Sequence, residues 1–219
     1  MNKDIPKTQF AVQLIAPDQL KLNKQKKVHP PNAHQILAKV KAVGLCFSDL
    51  KLIKQFDQHA RKGPIISGID PSVLEQVPSY KPQSEPTVPG HEVFAEITAV
   101  GDKVKHHHLG QHILVQTDYR WLKTAASNAA VGYNFEGGLQ EYLLMDERII
   151  VDPETDESFL IPVEKELSSS SIALVEPWAC VESSYITKER NAIRPGGSVL
   201  VVAESERKIE GLSQSLSKE

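Results

Sequence analysis

The sequence predicts a mainly β protein with short helices, its strands forming a compact barrel-like domain. Two observations carry that prediction. Apolar and polar residues alternate with period two in several segments, and Gly and Pro punctuate those segments at short intervals. This texture fits a barrel of short strands better than a repeating strand–helix–strand array.

Residues 8–16, TQFAVQLIA, read as a first strand. In AHQILAKVKAVGL, Ile36, Ala38, Val40 and Ala42 take one face and Lys39 and Lys41 the other, as in a half-buried strand. SDLKLIKQF reads as a short helix. Residues 57–89 contain Pro64, Pro71, Pro78, Pro82, Pro86 and Pro89, a spacing that favours a long loop with one helical turn at most. EVFAEITAVGDKV is another alternating strand closed by a Gly-Asp turn. QHILVQ and LQEYLLM read as two more, with Gly137-Gly138 turning into the second.

The texture changes at Leu167. LSSSSIALVEPWACV carries serines suited to N-capping before helically spaced apolar residues, and Pro177 marks the start of a second helix. NAIRPGGSVLVVA then reads as a strand, followed by a polar tail. The expected organisation is a main domain over 1–190, with a Pro-rich insert at 57–89, and the start of a second domain or a tail over 191–219.

The chain has 219 residues, enough for a substantial core, and a formal net charge of -3. That charge favours neither nucleic acid nor an anionic membrane as partner. No run of about 18 apolar residues is present to span a bilayer. The N-terminal segment lacks the apolar core of a signal peptide, and Cys46 and Cys180 are too few for a disulfide framework. The expectation is a cytoplasmic protein with reduced thiols.

Cys46 ends a strand in GLCFSDL, followed by the Ser48 hydroxyl and the Asp49 carboxylate. Taken alone, it is a small packed cysteine before a helix capped by Ser48 or Asp49. His91 and Glu92 open a strand after a Pro-Gly turn, and Glu176 and Cys180 lie at a helix start. Each alone has an ordinary structural use. Together, one thiolate, one imidazole and one carboxylate on three separate elements can form a three-ligand zinc site with an open fourth position. By softness, Cys180 competes with Glu176 for the third place.

The ordered motifs GLCFSDL, PGHEVFAEITAVGDKV, GGLQEYLLM, ALVEPWACV and PGGSVLVV resemble the zinc-dependent medium-chain alcohol dehydrogenases, most of all their polyol (sorbitol-like) branch. The match runs from about residue 8 to 203. The resemblance implies a GroES-like β-barrel catalytic domain, with Cys46, His91 and Glu176 as zinc ligands and Cys180 outside the ligand set. It implies that Glu92 approaches or exchanges on the metal, that Asp49 holds the histidine ring, and that Ser48 relays the substrate proton. Zinc would polarise the hydroxyl of a small alcohol or polyol, and a hydride would pass to NAD(P).

Three departures from the family accompany this. VLVV is followed by AESERKIEG rather than a Gly-rich turn, so no NAD(P) site is expected unless a separate cofactor domain supplies it. The span from Cys46 to His91 is long, and the lobe after GQHILV has no cysteines for a structural zinc. The alternative to an enzyme is a non-catalytic metal-binding or interaction domain of the same fold. The triple His106-His107-His108 is expected in a solvated turn.

Overall fold

The structure, a computed structural model, describes residues 5–164 and 167–186. The chain divides after Pro177 into two units, and the first holds every strand described below. The expected strand at 190–203 and the expected second domain at 191–219 lie outside the described residues.

The strands are β1 (Thr8–Ala16), β2 (Gln19–Lys27), β3 (Gln35–Gly44), β4 (Ile65–Ser67), β5 (Glu92–Val100), β6 (His112–Val115), β7 (Asp118–Thr124), β8 (Asn128–Ala130), β9 (Tyr142–Asp146) and β10 (Leu160–Pro162). The helices are short: α1 (Phe47–Gln55), α2 (Pro71–Leu74), α3 (Glu147–Ile150), α4 (Ser169–Ala173) and α5 (Val175–Ile186). The protein is therefore mainly β, as the alternation of its sequence predicts.

The central sheet runs β10-β6-β5-β3-β9, with neighbouring strands antiparallel. Strand β5 sits in the middle, buried along nearly its whole length on both faces. One face meets the main core, where Val93, Ala95 and Ile97 pack with Ile113, Val115 and Leu143. On the other face, Phe94 and Leu114 pack against Ile172 and Ala173 of α4, which Ser168 caps by accepting from the Ser171 N–H. β1 and β2 form a two-stranded ribbon, fastened to the rest by hydrogen bonds from Val12 N–H to Leu139 and between Leu14 and Thr87.

The Pro-rich segment is more regular than its prolines predict. It forms two 3-10 turns (Phe56–Gln58 and Ala60–Lys62), the strand β4 and the one-turn helix α2, started by Pro71 behind an Asp70 cap. β4 pairs with β7 and so extends the three-stranded sheet β4-β7-β8. The fully buried Lys62 fastens the segment's end, donating to the carbonyls of Lys81 and Glu85. Prolines excluded long elements here, but short ones between them found partners elsewhere in the fold.

The histidine triple also departs from expectation. His106 and His108 are exposed, but His107 is buried, with Nε2 2.9 Å from Ser158 Oγ. Burial and the hydrogen bond turn the middle residue of this turn into a packing group.

Candidate metal centre

Strand register builds the site. Gly44 at the end of β3 lies directly opposite Glu92 at the start of β5. Cys46, two residues past Gly44, is therefore carried beside His91, one residue before Glu92. A side chain on Gly44 would overlap the Glu92 carboxylate, so glycine leaves the room that carboxylate occupies. Before His91 the chain turns at Gly90, with φ +89°, a conformation that favours glycine.

Helix α1 supplies the third wall. Cys46 is its N-cap residue, and Asp49, in the first turn, reaches back to accept the Cys46 N–H at 2.9 Å. The same carboxylate accepts the Gly90 N–H at 3.1 Å and lies 3.3 Å from His91 Nδ1. Asp49 is fully buried, and three groups share its charge. With Nδ1 engaged, His91 has Nε2 left for a metal.

Among the described residues, the metal-ligating atoms of Cys46, His91 and Glu92 all lie within 4.8 Å of one another. Donors on a tetrahedral zinc sit roughly 3.3–3.8 Å apart, given bonds of about 2.0–2.3 Å, so modest side-chain movement closes the set. Glu176, at the start of α5, is half-buried and outside that group, yet close enough for its charge to act on both His91 and Glu92. Cys180 is exposed and lies in the second unit.

The electrostatics fit a cation. Burial pushes the Cys46 thiol up, but hydrogen bonding to the Ser48 hydroxyl and backbone, and to the His91 ring, outweighs it and lowers the thiol overall. Burial pushes His91 down, yet the Asp49 hydrogen bond and charge, with Glu176 and Cys46, raise it overall. Burial and the neighbouring Glu176 and Asp49 charges raise Glu92, against the opposing pull of His91. One imidazole thus faces three carboxylates and an acidified thiol. A divalent ion relieves that surplus of negative charge, and sulfur, nitrogen and oxygen donors together suit zinc.

Two residues missing from the sequence reading border this centre. The Tyr133 ring lies 5.5 Å from that of His91 and 5.0 Å from that of His59. Burial holds the Tyr133 hydroxyl up at about 12, although a hydrogen bond with Ser48 pulls the other way. For Tyr133 the visible signal was the glycine-rich stretch VGYNFEGG, where Gly132 has φ +81° and a side chain would crowd His91; His59 lies in the Pro-rich segment and had no such signal.

The profile of the alcohol dehydrogenase GroES-like domain matches residues 32–154, more than half of the chain. A D-xylulose reductase of Morganella morganii is 27% identical over 169 residues, covering 75% of this chain and 42% of the relative. An uncharacterised zinc-type alcohol dehydrogenase-like protein of Escherichia coli K12 is 27% identical over 136 residues, covering 57% and 34%. The chain thus spans less than half the length of these relatives. Among solved structures, 2R,3R-butanediol dehydrogenase from Bacillus subtilis superposes with a TM-score of 0.52 at 23% identity, over 78% of this chain and 44% of that one. A short chain alcohol dehydrogenase from E. coli CFT073, solved with NADH, gives 0.54 at 17% identity, over 81% and 44%. Sequence profile and fold agree, and the chain belongs to the alcohol dehydrogenase GroES-like domain family of the zinc-type medium-chain dehydrogenases.

Proposed function

We propose that this domain holds a catalytic zinc ion and forms the catalytic portion of an alcohol or polyol oxidoreductase that works with NAD(P) when a cofactor domain is supplied. The observation that carries the reading is the meeting of Cys46, His91 and Glu92 donors around a histidine oriented by Asp49. Cys46 and His91 hold the metal with one carboxylate. The family resemblance implies Glu176 in that place, with Glu92 exchanging. The grouping of Glu92 with Cys46 and His91, and the charge of Glu176 acting on both His91 and Glu92, support a role shared between the two carboxylates. The bound ion supplies Lewis acidity that makes a substrate hydroxyl acidic near neutrality.

This chain's residues do the remaining work. Asp49 keeps the His91 ring in one tautomer. Ser48 Oγ, hydrogen-bonded to Tyr133, relays the proton leaving the substrate hydroxyl, accepting it while passing its own proton on toward solvent. The Tyr133 ring narrows the space beside His91 and excludes water.

The test is zinc content by mass spectrometry on untagged protein, with cobalt substitution to report a thiolate–metal absorption band. A single zinc per chain is expected. Cys46→Ala and His91→Ala should lose it, Cys180→Ala should keep it, and Glu92→Gln and Glu176→Gln should each weaken it. Full zinc in Cys46→Ala would overturn the site. Retention in Glu92→Gln with loss in Glu176→Gln assigns the third place to Glu176 alone. Oxidation of a polyol panel with NAD and NADP, with and without an added cofactor domain, then tests the chemistry.

A further inference from the structure

A second polar cavity lies among residues that play no part in the metal centre. It measures about 250 Å³ and opens between the β1–β2 ribbon, residues 78–81 and β9. Lys26, Lys27, Lys81, His29, Ser79 and Glu136 supply its polar lining together with three glutamines. Three ammonium groups therefore face one carboxylate.

That carboxylate is engaged: Lys26 Nζ lies 2.8 Å from Glu136 Oε2, and both side chains are largely buried. Lys27 is exposed and brings its charge to the cavity with no acidic partner among the described residues. Lys81 pairs with Glu85 at 3.3 Å, but Glu85 is more than half exposed and outside the lining, so water weakens that pair. Ser79 is 3% exposed, and its hydroxyl has no hydrogen-bond partner among the described residues. Burial, then the charges of Lys27, Lys26 and Lys81, push His29 down, which marks a positive local field. The three glutamines are engaged within the protein: Gln9 donates to Gln140 and accepts from the Tyr142 N–H, Gln140 donates to Gly137, and Gln13 accepts from Asn23. The charge left over at the cavity is cationic, and the Ser79 hydroxyl can donate beside it. Val28, Leu37 and Leu144 give the same cavity an apolar floor.

We propose that this cavity binds a small oxyanion, a phosphate or carboxylate carried on a short organic stem. Lys27 and Lys81 neutralise its charge, Ser79 donates a hydrogen bond, and the apolar floor receives the stem. Charged hydrogen bonds of this type in a partly enclosed site give both affinity and orientation. The volume admits a molecule of a few carbon atoms and excludes a dinucleotide.

The experiment is isothermal titration calorimetry of the whole chain in chloride buffer free of other oxyanions, with inorganic phosphate, glycerol 3-phosphate and succinate as probes. Saturable binding of at least one probe below about 10 mM is expected. The Lys27→Ala/Lys81→Ala double variant should weaken it by about tenfold or more. Lys103→Ala/Lys105→Ala, at exposed positions outside the cavity, should leave it unchanged. Saturation by the phosphates alone identifies a phosphate ligand, and saturation by succinate alone a carboxylate. Lys27→Ala, at an exposed position, tests the cavity in a folded chain should the double variant fail to fold. No saturation by any probe overturns the proposal, as does equal weakening in the Lys103→Ala/Lys105→Ala control. Undiminished binding in the folded Lys27→Ala and double variants does so too.

Discussion

Asp49 Oδ1 lies 3.3 Å from His91 Nδ1, while Oδ2 of the same carboxylate accepts the Cys46 N–H at 2.9 Å. One buried side chain thus positions both a nitrogen and a sulfur donor. Asp49→Asn keeps the shape but lets a donor face a donor or alters the ring's tautomer. Zinc affinity should fall about 10–100-fold, measured by competition with a chelator. Unchanged affinity would show that Asp49 only caps the helix.

Gly44 stands across the sheet from Glu92. Gly44→Ala places a methyl group where that carboxylate lies, so Glu92 must move. The fold should lose about 1–3 kcal/mol in denaturant unfolding. Zinc content should fall with it. A variant as stable and as metal-loaded as the parent would count against the observed placement of Glu92.

Ser48 lowers the Cys46 thiol through its hydroxyl and backbone hydrogen bonds, against burial that raises it. Removing the hydroxyl in Ser48→Ala leaves burial less opposed, so the thiol moves up and less thiolate is present near neutrality. In zinc-stripped protein carrying Cys180→Ser, alkylation of Cys46 should slow and its pH profile shift toward alkali. A profile shifted toward acid would contradict this account.

Lys62 is fully buried, and burial lowers its amine from 10.5 to about 8. The folded state therefore binds this proton less tightly than the unfolded chain. The resulting penalty is fully present below about pH 8 and is relieved as pH rises toward 10.5, a change on the order of 3 kcal/mol. Urea unfolding of the parent and of Lys62→Met across that range should show their stability difference shifting in the parent's favour as pH rises. A difference independent of pH would mean the amine is not depressed.

The sequence made the site-bearing elements legible because alternation and glycine both act locally. Ile36 to Ala42 and Val93 to Val100 both form the strands their alternation announces, and Lys39 to Ala42 keeps that alternation in its burial; Val93 to Val100 is instead buried on both faces, because Ile172 and Ala173 of α4 cover the side facing away from the main core. Strand β2, QLKLNKQKK, was not legible. It lies almost wholly exposed, so no apolar face marks it, and its pairing with β1 alone makes it a strand. β7 and β8 were hidden for another reason: a lobe without cysteines gave no motif, and the partner β4 came from a segment rich in proline. At the metal centre, Cys46, His91 and Asp49 were visible as residue types in order. Glu92 was expected beside the metal as an exchanging carboxylate; that it, and not Glu176, groups with Cys46 and His91 was not legible, because it depends on the register that sets Gly44 opposite it.

Strand β5 carries His91 at its entrance and runs buried through the middle of the five-stranded sheet. Its rigidity comes from hydrocarbon packing and ladder bonds, which persist whether or not an ion is present. Small zinc-nucleated modules collapse when stripped, because metal binding is their folding energy. Here the candidate ligands stand at the edge of a large packed sheet, so on the function proposed above the ion would be a replaceable part rather than the source of the fold. On that same function, supply of the metal would govern occupancy of the site without deciding whether the frame survives.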